Sequence, residues 1–440
     1  MTGSAAGNAT SRESAGAFGI ALEIDGRTVI GRYRDVNHEF EERFEFGAIA
    51  GDRAIDERLA RLLVLAASLS YYKAVPTTDI EIEFLVTTAE RDFLAEVIRY
   101  GLAEFAYTND LPAKLHPTIH FVERDEMVLA DNWNADAPPL VPVGGGKDSV
   151  VSIEVLKSVG WHPTLFSVNR HESIDRCVAV SGLEYVSVSR VIDRRLLDLN
   201  AAGAPNGHVP VTAINSLVAL ITADLLGLGS VVLSNERSAN SGNVEWDGIE
   251  VNHQWSKGLA FENLLRATLT ALGFNPDRYF SLLRGSRELD IAAKFAEYPE
   301  YFSEFTSCNR AFRMDPNRRS ASWCGECPKC LFVFLILAPV LDKAQLVGIF
   351  GFDLLDTESN IPLYEEILGV RGFKPFECVG EIDEAIEALA SASRREDWRD
   401  SVVVRELLPR VGAIGAQQSA PAPDNIPTNY QAAKHELLGH

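Results

Sequence analysis

The chain has 440 residues, of which 46% are apolar and 23% charged, a composition typical of a globular protein that buries a sizeable core in two or three domains. Asp and Glu number 62 against 41 for Lys and Arg, and the formal net charge of -21 argues against nucleic-acid binding, which needs a basic face. The longest apolar run, Leu331 to Val340, is too short to cross a membrane, and the first residues lack a secretory-signal pattern. We therefore expect a cytoplasmic protein.

The first part of the chain predicts a small α+β domain over residues 18–130, after a lead of residues 1–17 that we expect to be disordered. Phe18–Phe46 alternates apolar and polar residues around the turn Asp25-Gly26, which is typical of a β-hairpin or small sheet. Periodicity then predicts two helices with a strand between them: helix 52–72, strand 80–86 and helix 89–105.

From residue 131 onward, short apolar strands alternate with helices, which predicts an α/β domain with a doubly wound parallel sheet over residues 131–345. In such a sheet, ligands bind at the carboxyl ends of the strands. Residues 346–411 predict a helical extension, and residues 412–440 a disordered tail that contributes nothing to the fold. The predicted strands of the sheet are 140–143, 165–168, 185–188 and 231–233, and the predicted helices include 148–159 and 212–226.

Three glycines separate the strand 140–143 from the following helix, in the sequence V-P-V-G-G-G-K-D-S-V-V. Glycines let backbone N–H groups approach an anion, and a helix N-terminus adds partial positive charge, so the loop predicts a phosphate site. Its spacing fits neither a P-loop nor a dinucleotide fingerprint, and a tight turn without a ligand is the alternative. The candidate residues are Gly144, Gly145, Gly146, Lys147, Asp148 and Ser149, with Asp148 also a candidate magnesium ligand.

The segment Gly144–Ser149 resembles the PP-loop of the ATP pyrophosphatases, whose usual form is S-G-G-x-D-S. Gly144 stands where that superfamily has Ser, which removes one hydroxyl contact to phosphate. The resemblance implies that the chain binds ATP with magnesium, cleaves ATP to AMP and diphosphate, and adenylates a carbonyl or carboxylate oxygen.

Four of the six cysteines form the pattern C-x15-C-x2-C-x2-C, which predicts a structural zinc site. Four thiolates fill a tetrahedral site, and such a site adds folding energy. An iron–sulfur cluster is the alternative. We expect the solitary Cys177 and Cys378 to be core residues or bystanders. The candidate ligands are Cys308, Cys324, Cys327 and Cys330.

A C-G-x-C-x-x-C run behind a PP-loop resembles the zinc site of the 7-deazaguanine synthases, and the segment 208–215 is similar to a nucleotide-facing segment of those enzymes, which makes Asn215 an ATP-binding candidate. Three other runs resemble the ATP-dependent UDP-N-acetylmuramoyl-L-alanyl-L-glutamate epimerases instead. This resemblance covers about residues 18–410 and implies conversion of the terminal L-glutamate of a peptidoglycan precursor to D-glutamate. The three runs are S-N-E-R-S-A-N-S-G-N (234–243), V-N-H-Q-W-S-K (251–257) and K-P-F-E-C-V-G near Lys374.

The implied reaction gives a reason for the use of ATP. Removing the α-proton beside a free carboxylate would form a dianionic enolate, whereas adenylation of the carboxylate acidifies the α-carbon, and later hydrolysis releases product and AMP. The acid or base should come from a polar loop at the carboxyl edge of the sheet. The catalytic candidates are Glu236, His253 and Lys257, with a magnesium ligand or a helix cap as other roles for Glu236.

Substrate carboxylates or diphosphate need polar or basic partners near that edge. A basic loop between the first two cysteines of the cluster contains Arg310, Arg313, Arg318 and Arg319, and a solvated loop beside the metal is its alternative interpretation. The candidates for substrate binding are Asn235, Arg237, Asn243, Arg310 and Arg313.

Other functions stay open at this point. A ligase or synthase of the deazaguanine type would adenylate an acid and transfer ammonia, and its product would change in mass. A nucleotide-binding sensor would bind ATP without releasing diphosphate. The excess of acidic over basic residues argues against an enzyme that modifies tRNA. The expected partner is a small-molecule substrate, and the sequence does not indicate the oligomeric state.

Overall fold

A computed structural model describes residues 16–125, 131–313, 319–320, 322–372, 374–411 and 423–438. The strands in these ranges are β1 (Phe18–Asp25), β2 (Thr28–Arg34), β3 (Glu39–Glu45), β4 (Asp79–Val86), β5 (Thr118–Glu123), β6 (Leu140–Pro142), β7 (Thr164–Val168), β8 (Tyr185–Val191), β9 (Val231–Leu233), β10 (Val244–Trp246), β11 (Ile249–Val251) and β12 (Tyr279–Ser281).

The α-helices in the same ranges are α1 (Glu57–Ala67), α2 (Leu69–Tyr72), α3 (Thr88–Gly101), α4 (Ala103–Asn109), α5 (Lys147–Ser158), α6 (Glu172–Ser181), α7 (Arg194–Ala201), α8 (Val211–Leu226), α9 (Leu259–Ala271), α10 (Glu288–Phe295), α11 (Pro328–Leu337), α12 (Lys343–Phe350), α13 (Ile361–Ile367), α14 (Ile382–Ala392), α15 (Val402–Leu407) and α16 (Gln431–Leu438).

Ten of the strands form one mixed sheet, in the order β12-β9-β6-β7-β8-β3-β2-β1-β4-β5. The run from β12 to β8 is parallel, β8 through β1 pair antiparallel, and β1, β4 and β5 are parallel again. The prediction of an α/β fold is confirmed, and the predicted parallel sheet is part of a larger mixed sheet that is mostly parallel.

Helices pack on both faces of the parallel strands. Successive side chains on a strand point to opposite faces, so neighbouring residues enter different cores. Leu140 and Val231 belong to the core that contains α1 and α8, whereas Val141 and Val232 belong to the core that contains α5, α10 and α11. Near-continuous apolar strands such as Val231–Leu233 follow from this two-sided burial.

The strands of the N-terminal region extend the same sheet. β3 pairs with β8, and a buried ion pair links them, with Arg190 Nε 2.6 Å from Glu42 Oε1. The core around α1 and α8 also takes in residues from β1 to β4. The boundaries of the domain predicted over residues 18–130 stay a prediction, but its strands do not form a separate sheet. Pairing between strands that are far apart in the chain leaves no pattern in the local sequence, so the sequence did not predict that β3 joins β8.

The prediction of a disordered tail is wrong for residues 423–438. Tyr430 is fully buried, and the centre of its ring lies 4.8 Å from the centres of the Trp161 and Phe280 rings. The helix α16 follows it and packs against α5. The composition of the tail predicted disorder, but Tyr430 and further buried residues, Ala433 and Leu437, anchor this segment. Residues 1–15 of the predicted lead and residues 412–422 and 439–440 of the tail lie outside the described residues.

The helices α10, α12, α13 and α14 pack against α11, which is buried on all sides, and α15 packs against α13. α11 has ten residues, half of the roughly 20 that a bilayer span requires. No helix in the described ranges is both long enough and apolar enough to span a membrane.

Candidate active site

A cleft of about 480 Å³ lies at the carboxyl ends of β6, β7 and β9. This is the edge at which parallel α/β sheets bind ligands. The apolar part of its wall has Val143, Phe166, Val168, Ile174, Leu233 and Phe312, and the polar part includes Asp148, Ser149, Asn215, Ser234, Asn235, Lys257, Ser307, Asn309, Lys329 and Cys378.

The glycine loop brings the backbone between β6 and α5 to this cleft. Gly145 has φ +75°, a left-handed conformation that other residues rarely adopt, and a Cβ there would lie 3.1 Å from the carbonyl oxygen of Ser173. A Cβ at Gly146 would lie 3.2 Å from the Ser307 side chain. A Cβ at Gly144 would meet nothing within 4 Å, so the fold has room for the serine that the ATP pyrophosphatases carry there.

The first turn of α5 contains Lys147, which is buried in ion pairs, and Asp148, which faces the cleft. Lys147 is 1% exposed, and its Nζ donates to Glu288 Oε2 at 2.5 Å and also pairs with Asp148. Asp148 lines the cleft. Burial opposes its ionisation, but the ammonium groups of Lys147, Lys329 and Lys257 outweigh burial and hold the pKa of Asp148 below its ordinary value. The cleft therefore has an ionised carboxylate at the end of the glycine loop.

Three polar atoms of the cleft wall have no hydrogen-bond partner within the described ranges. They are Asn215 Oδ1 on α8, Ser234 Oγ after β9 and Ser307 Oγ, and each atom is buried. Buried polar atoms are nearly always hydrogen-bonded in native proteins, so a polar ligand in the cleft would satisfy them. Ser149 differs, because its Oγ donates to the Gly146 carbonyl at 3.0 Å.

Lys329 is a cleft residue that the sequence analysis missed. It belongs to the first turn of α11, between Cys327 and Cys330, and is only 6% exposed. No carboxylate among the described residues pairs with its ammonium group. A buried, unpaired charge is costly, so a site that retains one is suited to an anionic ligand. The run C-P-K-C was a usable signal, but we interpreted it only as metal-binding.

Of the three catalytic candidates, Lys257 contacts Cys378. Lys257 Nζ donates to Cys378 Sγ at 3.2 Å, and both residues line the cleft. His253 Nδ1 lies 2.6 Å from Glu104 Oε2, and the positive charge of His253 acts on Cys378. Glu236 is 5% exposed and adds to the negative charge that acts on Lys257. The structure thus places Lys257 in contact with the sulfur, with the charge of His253 acting on Cys378 and that of Glu236 acting on Lys257.

The expectation that Cys378 is a core residue or bystander is wrong. Burial opposes ionisation of its thiol, but Lys257 and His253 outweigh burial and lower the pKa of Cys378 to about 6. Burial also opposes protonation of His253, but Cys378 and Glu104 outweigh it and raise the pKa of His253 to about 9. The contact with Lys257 and the nearby charge of His253 therefore favour the thiolate form of this sulfur near neutral pH. Cys177 fits its prediction as a buried core residue, and burial raises its pKa to about 12.

Glu104, His208 and His253 present their ligand atoms within 4.8 Å of one another. We assign no metal to this group, because hydrogen bonding accounts for it and the Lys73 and Lys257 charges would oppose a cation. Burial and those charges, with that of His253, lower the pKa of His208 to about 3, so His208 stays neutral.

The candidates for substrate binding are mostly engaged elsewhere. Asn235 lines the cleft. Arg237 Nη2 lies 3.1 Å from Glu381 Oε2, and Asn243 Nδ2 donates to the Pro375 carbonyl at 3.0 Å. In the basic loop, Arg310 pairs with Glu326, Arg313 is exposed, Arg319 donates to the Arg313 carbonyl and Arg318 lies outside the described residues. Neither Arg310 nor Arg313 lines the cleft, so a role for them in binding stays a prediction.

The four clustered cysteines lie together, as their spacing predicts. The Sγ–Sγ distances are 4.0 Å for Cys308–Cys327, 3.7 Å for Cys324–Cys330 and 3.4 Å for Cys327–Cys330. Four sulfurs at 2.3 Å from a central zinc ion would be about 3.8 Å apart, which is close to the observed distances. The observed distances are also far longer than the ~2.05 Å bond of a disulfide. The donor set therefore fits a tetrahedral metal site, next to the cleft through Lys329.

Fold and site define an α/β protein with a polar cleft at the carboxyl edge of its parallel strands and a four-cysteine group beside it. Two family profiles match the sequence. The MurL N-terminal domain matches residues 20–282, and the MurL C-terminal domain matches residues 304–422. The chain belongs to the MurL family.

Curated relatives agree with this assignment. A protein of Micromonospora sp. is 45% identical over 383 residues, which are 86% of this chain and 85% of the relative. A protein of Salinispora tropica is 44% identical over 86% of this chain and 84% of its own length, and one of Xanthomonas oryzae pv. oryzae is 41% identical over 82% and 79%. All three are named UDP-N-acetyl-alpha-D-muramoyl-L-alanyl-L-glutamate epimerase. No solved structure matches the chain significantly.

Proposed function

We propose that the protein is an ATP- and magnesium-dependent epimerase that converts the terminal L-glutamate of UDP-N-acetylmuramoyl-L-alanyl-L-glutamate to D-glutamate. The names of the relatives support the substrate and the product. The observation that carries the proposal is that one cleft contains both the glycine loop and the Lys257–Cys378 pair. Carboxylate activation and proton transfer can therefore take place on the same bound molecule.

ATP would lie along the glycine loop, which we interpret as a PP-loop. The backbone of residues 144–146 and the N-terminus of α5 suit phosphate groups, and the apolar wall of Phe166, Val168 and Ile174 suits an adenine ring. Asn215 would supply a hydrogen bond to the nucleotide. Asp148 is the candidate magnesium ligand, and a bound magnesium ion would neutralise charge on the phosphates.

Two ammonium groups in the cleft would offset the charge of ATP and of the glutamate carboxylates. Lys257 and Lys329 both line the cleft, in a chain whose net charge is -21. Lys329 is only 6% exposed, so its ammonium group attracts an anion more strongly than that of a surface lysine does. We propose that Lys329 contacts either phosphate or the carboxylate under attack.

The cysteine cluster would hold structural zinc. Its four thiolates leave no open coordination position, which is the pattern of structural rather than catalytic zinc sites. Cys327 and Cys330 flank Lys329, and the helix α11 begins at this point. The metal would therefore fix the position of Lys329 in the cleft.

Replacing Lys329 by Met tests the assigned contact. We expect kcat/KM to fall about a hundredfold, as for loss of one charged contact to an anion, while the melting temperature stays constant or rises because a buried unpaired charge is removed. Steady-state kinetics with varied ATP and a thermal melt measure both effects. Lys157→Met, at the far end of α5, is the control and should leave KM unchanged. A K329M enzyme with wild-type kinetics would contradict the contact.

The proposed function is tested with purified protein, ATP, magnesium and UDP-N-acetylmuramoyl-L-alanyl-L-glutamate in deuterated water. We expect diphosphate and AMP, together with a product that contains D-glutamate and one deuterium on its α-carbon. A product with an added amide would support the ligase alternative. ATP binding without diphosphate release would support a sensor and refute the epimerase.

A further inference from the structure

Cys378 differs from the other described cysteines in its surroundings. Cys177 lies in an apolar core, and the four clustered cysteines face one another. Cys378 instead borders the cleft that contains the glycine loop, and it is neither fully buried nor part of a metal group. A thiol in this position can reach a molecule bound in the cleft.

Two cationic side chains act on this sulfur. Lys257 Nζ lies 3.2 Å from Sγ, and His253, whose Nδ1 lies 2.6 Å from Glu104 Oε2, adds a second positive charge that lowers the pKa of the thiol. The charges of Lys329 and Lys374 add to the positive field around the thiol, while Glu236 and Asp148 act on Lys257. A thiolate with such partners is a competent base near neutral pH.

Hydrogen bonds hold the segment that carries Cys378 on both sides. Asn243 donates to the Pro375 carbonyl at 3.0 Å, and Gln254 donates to the Val379 carbonyl at 3.3 Å. Arg237 pairs with Glu381 at 3.1 Å, and Asn309 donates to Glu377 at 2.7 Å. The polar residues of the runs 234–243 and 251–257 thus fix the position of the sulfur, which explains why several of them do not reach the cleft.

We propose that Cys378 is the base that removes the α-proton of the glutamyl residue, an inference that rests on the proposed function. In this step the Cα–H bond breaks, an S–H bond forms and the electron pair moves into the activated acyl group. Inversion requires that a proton from a solvent-exchangeable group arrives on the opposite face. Water then hydrolyses the acyl phosphate bond and releases AMP and the D-glutamate carboxylate.

The neighbours of Cys378 take other roles in this account. Lys257 and His253 are positioning residues that keep the sulfur ionised, rather than a second base. After proton transfer the thiol is neutral, and Lys257 is then free to face the negative charge that develops on the acyl oxygen. If Lys257 is replaced by a neutral residue, a smaller fraction of Cys378 should be ionised, and proton transfer should therefore be slower.

The test compares wild-type protein with Cys378→Ser in deuterated water. Adenylation does not need the thiol, so C378S should still release AMP and diphosphate, with rates within about tenfold of wild type. The glutamate it releases should stay L and contain no deuterium, with epimerisation reduced at least about a thousandfold. Cys177→Ser, the same change at a thiol outside the cleft, is the matched control. Cys177 Sγ donates to the Gly145 carbonyl at 3.5 Å, and because the serine hydroxyl keeps this donor the variant should epimerise normally.

Three results would overturn the proposal. Epimerisation by C378S at a rate near that of wild type would show that the thiol is dispensable. An equal loss of AMP release and epimerisation in a folded C378S protein, and in Cys378→Ala as a second variant, would indicate a structural role. A wild-type protein that releases no AMP would refute the proposed function itself, and the inference with it.

Alkylation of the wild-type protein gives a second readout. Iodoacetamide should label Cys378 near neutral pH, and the labelling rate should fall as the pH is lowered through about 6, whereas Cys177 stays unlabelled. ATP with substrate should protect Cys378. Peptide mass spectrometry measures both effects. Labelling of Cys378 that has the pH dependence of a free thiol would contradict an ionised base.

Discussion

Replacing Asp148 by Asn should lower the rate of diphosphate release at least about a thousandfold, because the cleft loses the carboxylate expected to hold magnesium. Among the described residues that line the cleft, Asp148 alone carries a carboxylate. The substitution keeps the shape of the side chain, and Lys147 keeps its ion pair with Glu288, so the fold should persist. Diphosphate release over a range of magnesium concentrations measures the effect.

The control for this variant is Asp175→Asn, which removes a carboxylate from the first turn of a different helix, α6. Asp175 pairs with the exposed Arg170 and should matter little to either activity or stability. A D148N enzyme within about tenfold of wild type at saturating magnesium would refute Asp148 as a metal ligand.

Replacing Cys324 by Ser should remove the bound metal and lower the melting temperature by roughly 10 °C, since a structural metal site contributes several kcal/mol to folding. Cys324 is only half-buried, so the substitution itself disturbs little packing. Activity should also fall, because the first turn of α11 carries Lys329. Metal analysis and thermal melts measure the outcome, and Cys177→Ser is again the control.

The same experiment identifies the metal. Zinc at one equivalent per chain without visible absorbance would support the structural zinc site, whereas iron with absorbance near 400 nm would support the iron–sulfur alternative. A wild-type protein without metal, or a C324S protein that melts at the wild-type temperature, would contradict the metal site altogether.

Local sequence patterns predicted the parts of the site that depend on local geometry. The strand–glycine–helix turn at residues 140–158 and the clustered cysteines follow from short spacings, and the structure contains both. The alternation of strands and helices alone predicted that the cleft opens at the carboxyl ends of the strands. Glu236 follows a strand and Lys257 lies in a polar run. Lys257 lines the cleft, and Glu236 is adjacent in sequence to Asn235, which does so as well.

Features that depend on distant parts of the chain could not be predicted in this way. Cys378 is a lone cysteine in the sequence, and only the fold places it 3.2 Å from Lys257. The pairing of β3 with β8 joins segments about 150 residues apart and leaves no periodic signal. The charges of Arg237 and Arg310 suggested anion binding, but in the fold each pairs with a glutamate.

The central claim is that a carboxylate is adenylated in the cleft, and transfer of an oxygen isotope tests it most directly. The substrate would carry 18O in the α-carboxylate of its terminal L-glutamate, and the AMP formed during turnover would be analysed by mass spectrometry. Adenylation followed by attack of water on the acyl carbon predicts that AMP gains one 18O from the substrate. Unlabelled AMP, formed while D-glutamate accumulates, would contradict the account.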